Sequence, residues 1–114
     1  MVCSRTRTQR NLRTGPLVAH CIAVRWTIKE GELDAVLAAL RPLVEASRAE
    51  PGCLLYQAHR PPDDPNVIFL YEQYADQAAY QAHADSEHFK THAVGEIFPR
   101  RESVERAEYE TFEP

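Results

Sequence analysis

No stretch of this 114-residue sequence approaches the roughly 18 consecutive apolar residues that a membrane-spanning helix needs. The sequence therefore predicts a chain that is not membrane-embedded. Cysteine is scarce and unpatterned. Cys3, Cys21 and Cys53 are odd in number and have no CxxC spacing, which fits free thiols in a reducing compartment, the cytoplasm, better than a disulfide framework. Neither GxGxxG nor a P-loop occurs, so nucleotide and flavin binding have no motif in their favour. His88 and His92 have the i, i+4 spacing of two ligands on one helix face, with Glu72 or His83 available to complete a site. The pair lacks the Glu of HExxH, however, and no metal is expected.

Acidic residues are absent from positions 1–16, where Arg5, Arg7, Arg10 and Arg13 give a charge of +4, leaving the rest of the chain at −8. An acidic body repels nucleic acid, and no nucleic-acid partner is expected. The basic segment has too few apolar side chains to offset its ordering entropy, so residues 1–16 are expected to form a flexible tail and residues 17–114 one domain. The Arg-rich start has the look of a targeting segment, but the apolar LVAHCIAV that follows is short and has no small-x-small cleavage site.

What is present is a regular alternation of elements, and 44% hydrophobic with 26% charged residues is enough for one packed core. LVAHCIAVRW, residues 17–26, reads as a buried strand with Val18, His20, Ile22, Val24 and Trp26 on one face. Leu33, Val36, Leu37, Leu40, Leu43 and Val44 recur at helical spacing up to about Ala49. EPG at 50–52 should end that helix, with Gly52 expected in the left-handed conformation. CLLYQAHR then alternates, placing Leu54, Tyr56 and Ala58 together, and NVIFLYEQY returns antiparallel with Ile68, Leu70, Glu72 and Tyr74 on one face. Asp76 and Ser86 are candidate N-caps of two short helices. Tyr80 and His83 mark one side of the first, and Phe89, His92, Ala93 and Ile97 point inward from the second. After Pro99, residues 103–112 alternate as a last strand. The order β, α, β, β, α, β is the split βαβ of an α+β, ferredoxin-like domain: a four-stranded antiparallel sheet with helices on one face.

SRAEPGCLLYQ at 47–57, DDPNVIFLYEQYAD at 63–76 and AYQAHADSEHF at 79–89 resemble the antibiotic biosynthesis monooxygenase family, especially its quinol monooxygenase-like members. The resemblance covers about residues 18–112. It implies a homodimeric α+β barrel in which two sheets pack face to face. A dimer is expected from the residues as well, because helices on one side of the sheet leave apolar Leu17, Ala19, Cys21, Ala23, Val67, Phe69 and Tyr71 open to water on the other. The resemblance leaves the reaction open among cofactor-free oxidation of aromatic compounds, haem cleavage and isomerisation of a small phosphorylated compound. Haem-cleaving relatives use an Asn on strand one, a Trp on strand three and a His on the last helix. Here Val24, Tyr74 and His92 stand near those places, which argues against haem.

In relatives the substrate sits between the sheet and its helices. By position this assigns His83, His88 and Glu72 to catalysis, and His20, Trp26, Tyr56, Tyr74, Phe89 and His92 to substrate binding. Oxidation of a quinol or polycyclic phenol by dioxygen, with no cofactor, requires a base for the hydroxyl proton. Histidine is suited to that near neutral pH. Glu72 is expected to orient the imidazole unless it bridges to Arg25 or a backbone amide, tyrosine hydroxyls to hold an oxyanion, and the aromatic rings to sandwich a flat substrate. The alternatives are an isomerase shuttling protons on a small carbonyl compound, which consumes no oxygen, and a non-catalytic protein that binds small molecules.

Overall fold

A computed structural model describes residues 18–112, so the expected tail at residues 1–16, and Leu17, lie outside the described residues. Four strands, β1 (His20–Ile28), β2 (Cys53–His59), β3 (Val67–Tyr74) and β4 (Arg101–Glu110), form one antiparallel sheet in the order β2-β3-β1-β4. Helix α1 (Leu33–Arg48) connects β1 to β2. Helix α2 (Gln77–Ala84), a π-helix (Phe89–Ile97) and one 3-10 turn (Phe98–Arg100) connect β3 to β4. This is the expected α+β, ferredoxin-like order. No described helix is long and apolar enough to cross a membrane.

The even-numbered face of the sheet carries the core. Tyr56, Glu72 and Ile22 stand side by side across β2, β3 and β1, and Ala58, Leu70, Val24 and Arg106 form the next row, reaching β4. Val36, Leu40 and Leu43 of α1 close over these rows together with Ala93 and Ile97 of the π-helix, all buried. Period two on the strands and a period near 3.6 on α1 thus meet in one apolar layer.

Four local expectations are corrected. Leu54 does not share the inner face with Tyr56. The register slips between Cys53 and Leu55, a bulge that turns Cys53 toward the core and leaves Leu54 46% exposed. The π-helix puts more than four residues in each turn, so its inward stripe is Phe89, Ala93, Ile97 at steps of four, and His92 falls on its half-buried flank. The last strand begins at Arg101 rather than 103, because Pro99 sits inside the 3-10 turn and the chain extends immediately after it.

Among the described glycines the positive φ belongs to Gly31, at 82° in the β1–α1 turn, whereas Gly52 does not adopt it. Gly52 serves close approach instead. A Cβ there would lie 2.4 Å from the Ala79 Cβ on α2, and the Gly52 carbonyl accepts from Ala75 N at 2.9 Å. The turn after α1 is thereby locked against the start of α2. Gly52→Ala should force the two apart and destabilise the fold by about 1–3 kcal/mol. Chemical denaturation measures this, and an unchanged midpoint would contradict the contact.

Candidate functional site

Three neighbouring connections build the site. The turn after α1 brings Glu50, closed by a bond from Cys53 N to Glu50 O at 3.1 Å. Helix α2 brings Tyr80 and His83, its start fixed where Asp76 Oδ1 accepts from Ala79 N at 2.8 Å. Ser86 Oγ then accepts from Phe89 N at 3.2 Å and donates to His83 O at 2.7 Å, coupling the next helical segment to the end of α2. Asp76 and Ser86 thus act as the expected caps.

Between these segments and the sheet lies a cavity of about 80 Å³. Ile22, Val24 and Trp26 form its floor with Tyr56 and Glu72. Tyr80, His83, Phe89 and Phe98 cover it, and Arg101, Val104 and Arg106 border it from β4. His83 is at its centre of packing, 1% exposed, with its ring 5.1 Å from Phe89, 5.3 Å from Tyr74 and 5.4 Å from Tyr56. Its Nδ1 lies 2.8 Å from Glu50 Oε2, and its Nε2 is buried with no hydrogen-bond partner among the described residues. Burial lowers the His83 pKa, against the raising effect of the Glu50 bond and charge. The ring is therefore neutral near pH 7, with Nδ1–H donating to Glu50 and a free lone pair on Nε2.

Glu72, 5% exposed, accepts from the Tyr74 hydroxyl at 2.7 Å. Burial pushes its carboxyl up to about 7, against the lowering effects of the Tyr74 bond and of Arg106. The Tyr74 hydroxyl is raised in turn, by burial and by the Glu72 charge. At the border, Arg106 donates to Glu108 Oε2 at 2.8 Å and to the Tyr80 hydroxyl at 2.9 Å, while the Arg101 guanidinium lies 3.8 Å over the Phe98 ring.

Of the residues singled out by sequence, His83, Glu72, Trp26, Tyr56 and Phe89 line the cavity together. Tyr74 stands just behind it, against Glu72 and His83. His88 also lies behind, its Nε2 2.5 Å from Glu50 Oε2. His20 packs on Tyr80 at 5.5 Å, beside Glu108, in a separate shallow surface pocket, and His92 is not among the lining residues. The carboxylate that holds the imidazoles is Glu50, not Glu72. Glu72 does not meet Arg25 either, because Arg25 is exposed on an odd-numbered strand position. Sequence reasoning missed Glu50, Arg101 and Arg106. Only the alternation of Val104, Arg106 and Glu108 along β4 offered a signal, and only for Arg106.

The family model described as antibiotic biosynthesis monooxygenase matches residues 19–94. The chain belongs to the antibiotic biosynthesis monooxygenase family. Among solved structures it is similar to PA3566 from Pseudomonas aeruginosa, at 29% identity, TM-score 0.78, covering 87% of this chain and 100% of that one. A solved antibiotic biosynthesis monooxygenase has 27% identity and TM-score 0.73 over 83% of this chain and 98% of its own. Protein SO0527 from Shewanella oneidensis has 27% identity and TM-score 0.73 over 83% and 91%. None of the curated proteins matches the chain. In this antibiotic biosynthesis monooxygenase domain the family match ends at residue 94, so Arg101 and Arg106 lie beyond the matched segment.

Proposed function

We propose that this chain is a cofactor-independent monooxygenase that oxidises a quinol with dioxygen, with His83 as general base. The observation that carries this reading is His83 itself: it lines an aromatic cavity, and its Nε2 is buried without a hydrogen-bond partner among the described residues. A phenolic hydroxyl placed against it loses its proton to Nε2, and Glu50 stabilises the imidazolium that forms through Nδ1–H. The phenolate then reduces dioxygen far more readily than the phenol does. A hydroquinone plus dioxygen gives a hydroxyquinone plus water, with every electron supplied by the substrate and the His83 proton returned in the water. Arg101 and Arg106 supply positive charge at the border for the developing oxyanion. A cavity of about 80 Å³ favours a single ring over a polycyclic phenol, since drug-sized ligands occupy roughly 300–1,000 Å³.

The Glu72 carboxyl, pushed up to about 7, favours one second reading. Two proton carriers of different pKa on one cavity suit an isomerase acting on a small carbonyl compound. An oxygen electrode separates the two. Chelator-treated protein with no added cofactor should consume oxygen with a panel of single-ring hydroquinones, and no uptake on any of them contradicts the monooxygenase reading.

Homodimerisation through the odd-numbered face of the sheet, with Ala23, Phe69 and Tyr71, belongs to the same proposal. The packing of the described helices on the opposite face supports it. Sedimentation equilibrium at micromolar concentration should give twice the chain mass, and a monomer would contradict it.

A further inference from the structure

The one cluster of metal-ligating side chains found among the described residues lies behind the cavity wall. Glu50, His83 and His88 each offer one donor atom, and the three atoms lie within 4.8 Å of one another. Oε2 of Glu50 stands 2.8 Å from His83 Nδ1 and 2.5 Å from His88 Nε2. The other carboxylate oxygen, Oε1, is buried and has no hydrogen-bond partner among the described residues. One oxygen thus serves two imidazoles while its twin has an unused lone pair shielded from water, which is an incomplete arrangement for a buried carboxylate oxygen. The His88 side chain is 22% exposed, so the cluster can be reached from solvent.

We propose that Glu50, His83 and His88 form a binding site for one divalent transition-metal ion of the zinc class, and that its occupancy withdraws His83 from proton transfer. The second half rests on the reading of His83 as the base. Two imidazoles and one carboxylate suit zinc, cobalt or nickel rather than calcium or magnesium, and a water completes a tetrahedral set. Metal–donor bonds of about 2.0–2.2 Å place neighbouring donors roughly 3.3 Å apart. Glu50 must therefore open from its present hydrogen bonds by about half an ångström or more, and the two imidazole nitrogens must draw together.

The proton inventory follows from the ring chemistry. The Nδ1–H···O bond from His83 to Glu50 breaks, a metal–Nδ1 bond forms, and the ring stays neutral by carrying its proton on Nε2 instead. His88 binds through the Nε2 that now faces Glu50, so that nitrogen must be free of its proton when the metal is bound. With metal bound, Nε2 of His83 is an N–H donor and has no lone pair for a substrate proton.

The full-length protein, freed of metal with a chelator, is titrated with Co²⁺ and with Zn²⁺. One ion per chain is expected, with visible cobalt d–d bands and without the near-ultraviolet charge-transfer band that cysteine ligation produces. Glu50→Gln and His88→Gln should each weaken binding by more than the roughly 10–100-fold that outer-shell changes produce. The two variants alter different elements, so misfolding of one leaves the other decisive. Nitrogen-15 NMR of the histidine rings should show the His83 proton on Nδ1 in metal-free protein and on Nε2 with Zn²⁺. Binding that is absent, thiolate-type or unchanged in both variants overturns the site, and an unchanged His83 tautomer with metal bound overturns the coupling. Metal binding by a protein that consumes no oxygen contradicts the oxygenase reading and leaves the site standing.

Discussion

Replacing His83 by asparagine should lower the rate of oxygen uptake by roughly 10²–10⁴-fold, the range that a positioned general base contributes. Asparagine is the informative substitution because its amide can still donate to Glu50, where His83 Nδ1 now does at 2.8 Å, while presenting no basic nitrogen to the cavity. An alanine would instead leave a void against Tyr56, Tyr74 and Phe89 and take from the Glu50 carboxylate one of its two imidazole partners, mixing a folding defect with the loss of the base. Uptake by His83→Asn within severalfold of the parent would remove His83 from the reaction.

Glu72→Gln is expected to stabilise the protein at pH 8 and leave it nearly unchanged at pH 4. Burial raises the Glu72 carboxyl from 4.5 to about 7. The folded chain therefore holds its proton over a window in which the unfolded chain has released it. The favourable contribution is complete below 4.5 and is lost as pH rises through 7, where the folded state must carry a buried carboxylate. Glutamine carries no charge at any pH, and its carbonyl can still accept from the Tyr74 hydroxyl. At pH 8 the gain should be about 1–3 kcal/mol. Thermal unfolding of both proteins across that range measures it. Parallel curves would mean that Glu72 is ordinary in its titration and that its place on the cavity wall has no electrostatic consequence.

The element order was legible because each element has a clean period. Even-numbered residues of β1 and β3 are apolar or aromatic apart from His20 and Glu72, and α1 repeats its stripe without interruption. Local geometry was less legible. The Cys53–Leu55 bulge and the π-helix both arise from tertiary fit, and neither leaves a mark in residue type. Gly52 looks like any helix-ending glycine until α2 is seen against it. Half the site could be read from β3 and α2, since Glu72 and His83 are polar residues at inward positions. Glu50 could not, because it sits in a turn, where periodicity says nothing of direction. Only the fold brings it 33 residues along the chain to His83. For the same reason His88 and His92 suggested a pair on one helix face, whereas the partners His88 finds are Glu50 and His83.

The most direct test of the central claim is the fate of oxygen. The metal-free protein is given a single-ring hydroquinone under ¹⁸O₂, and product and water are analysed by mass spectrometry. One labelled oxygen atom is expected in the hydroxyquinone and the other in water. A product of unchanged oxygen count, whether an isomer or a plain quinone without label, would contradict that claim.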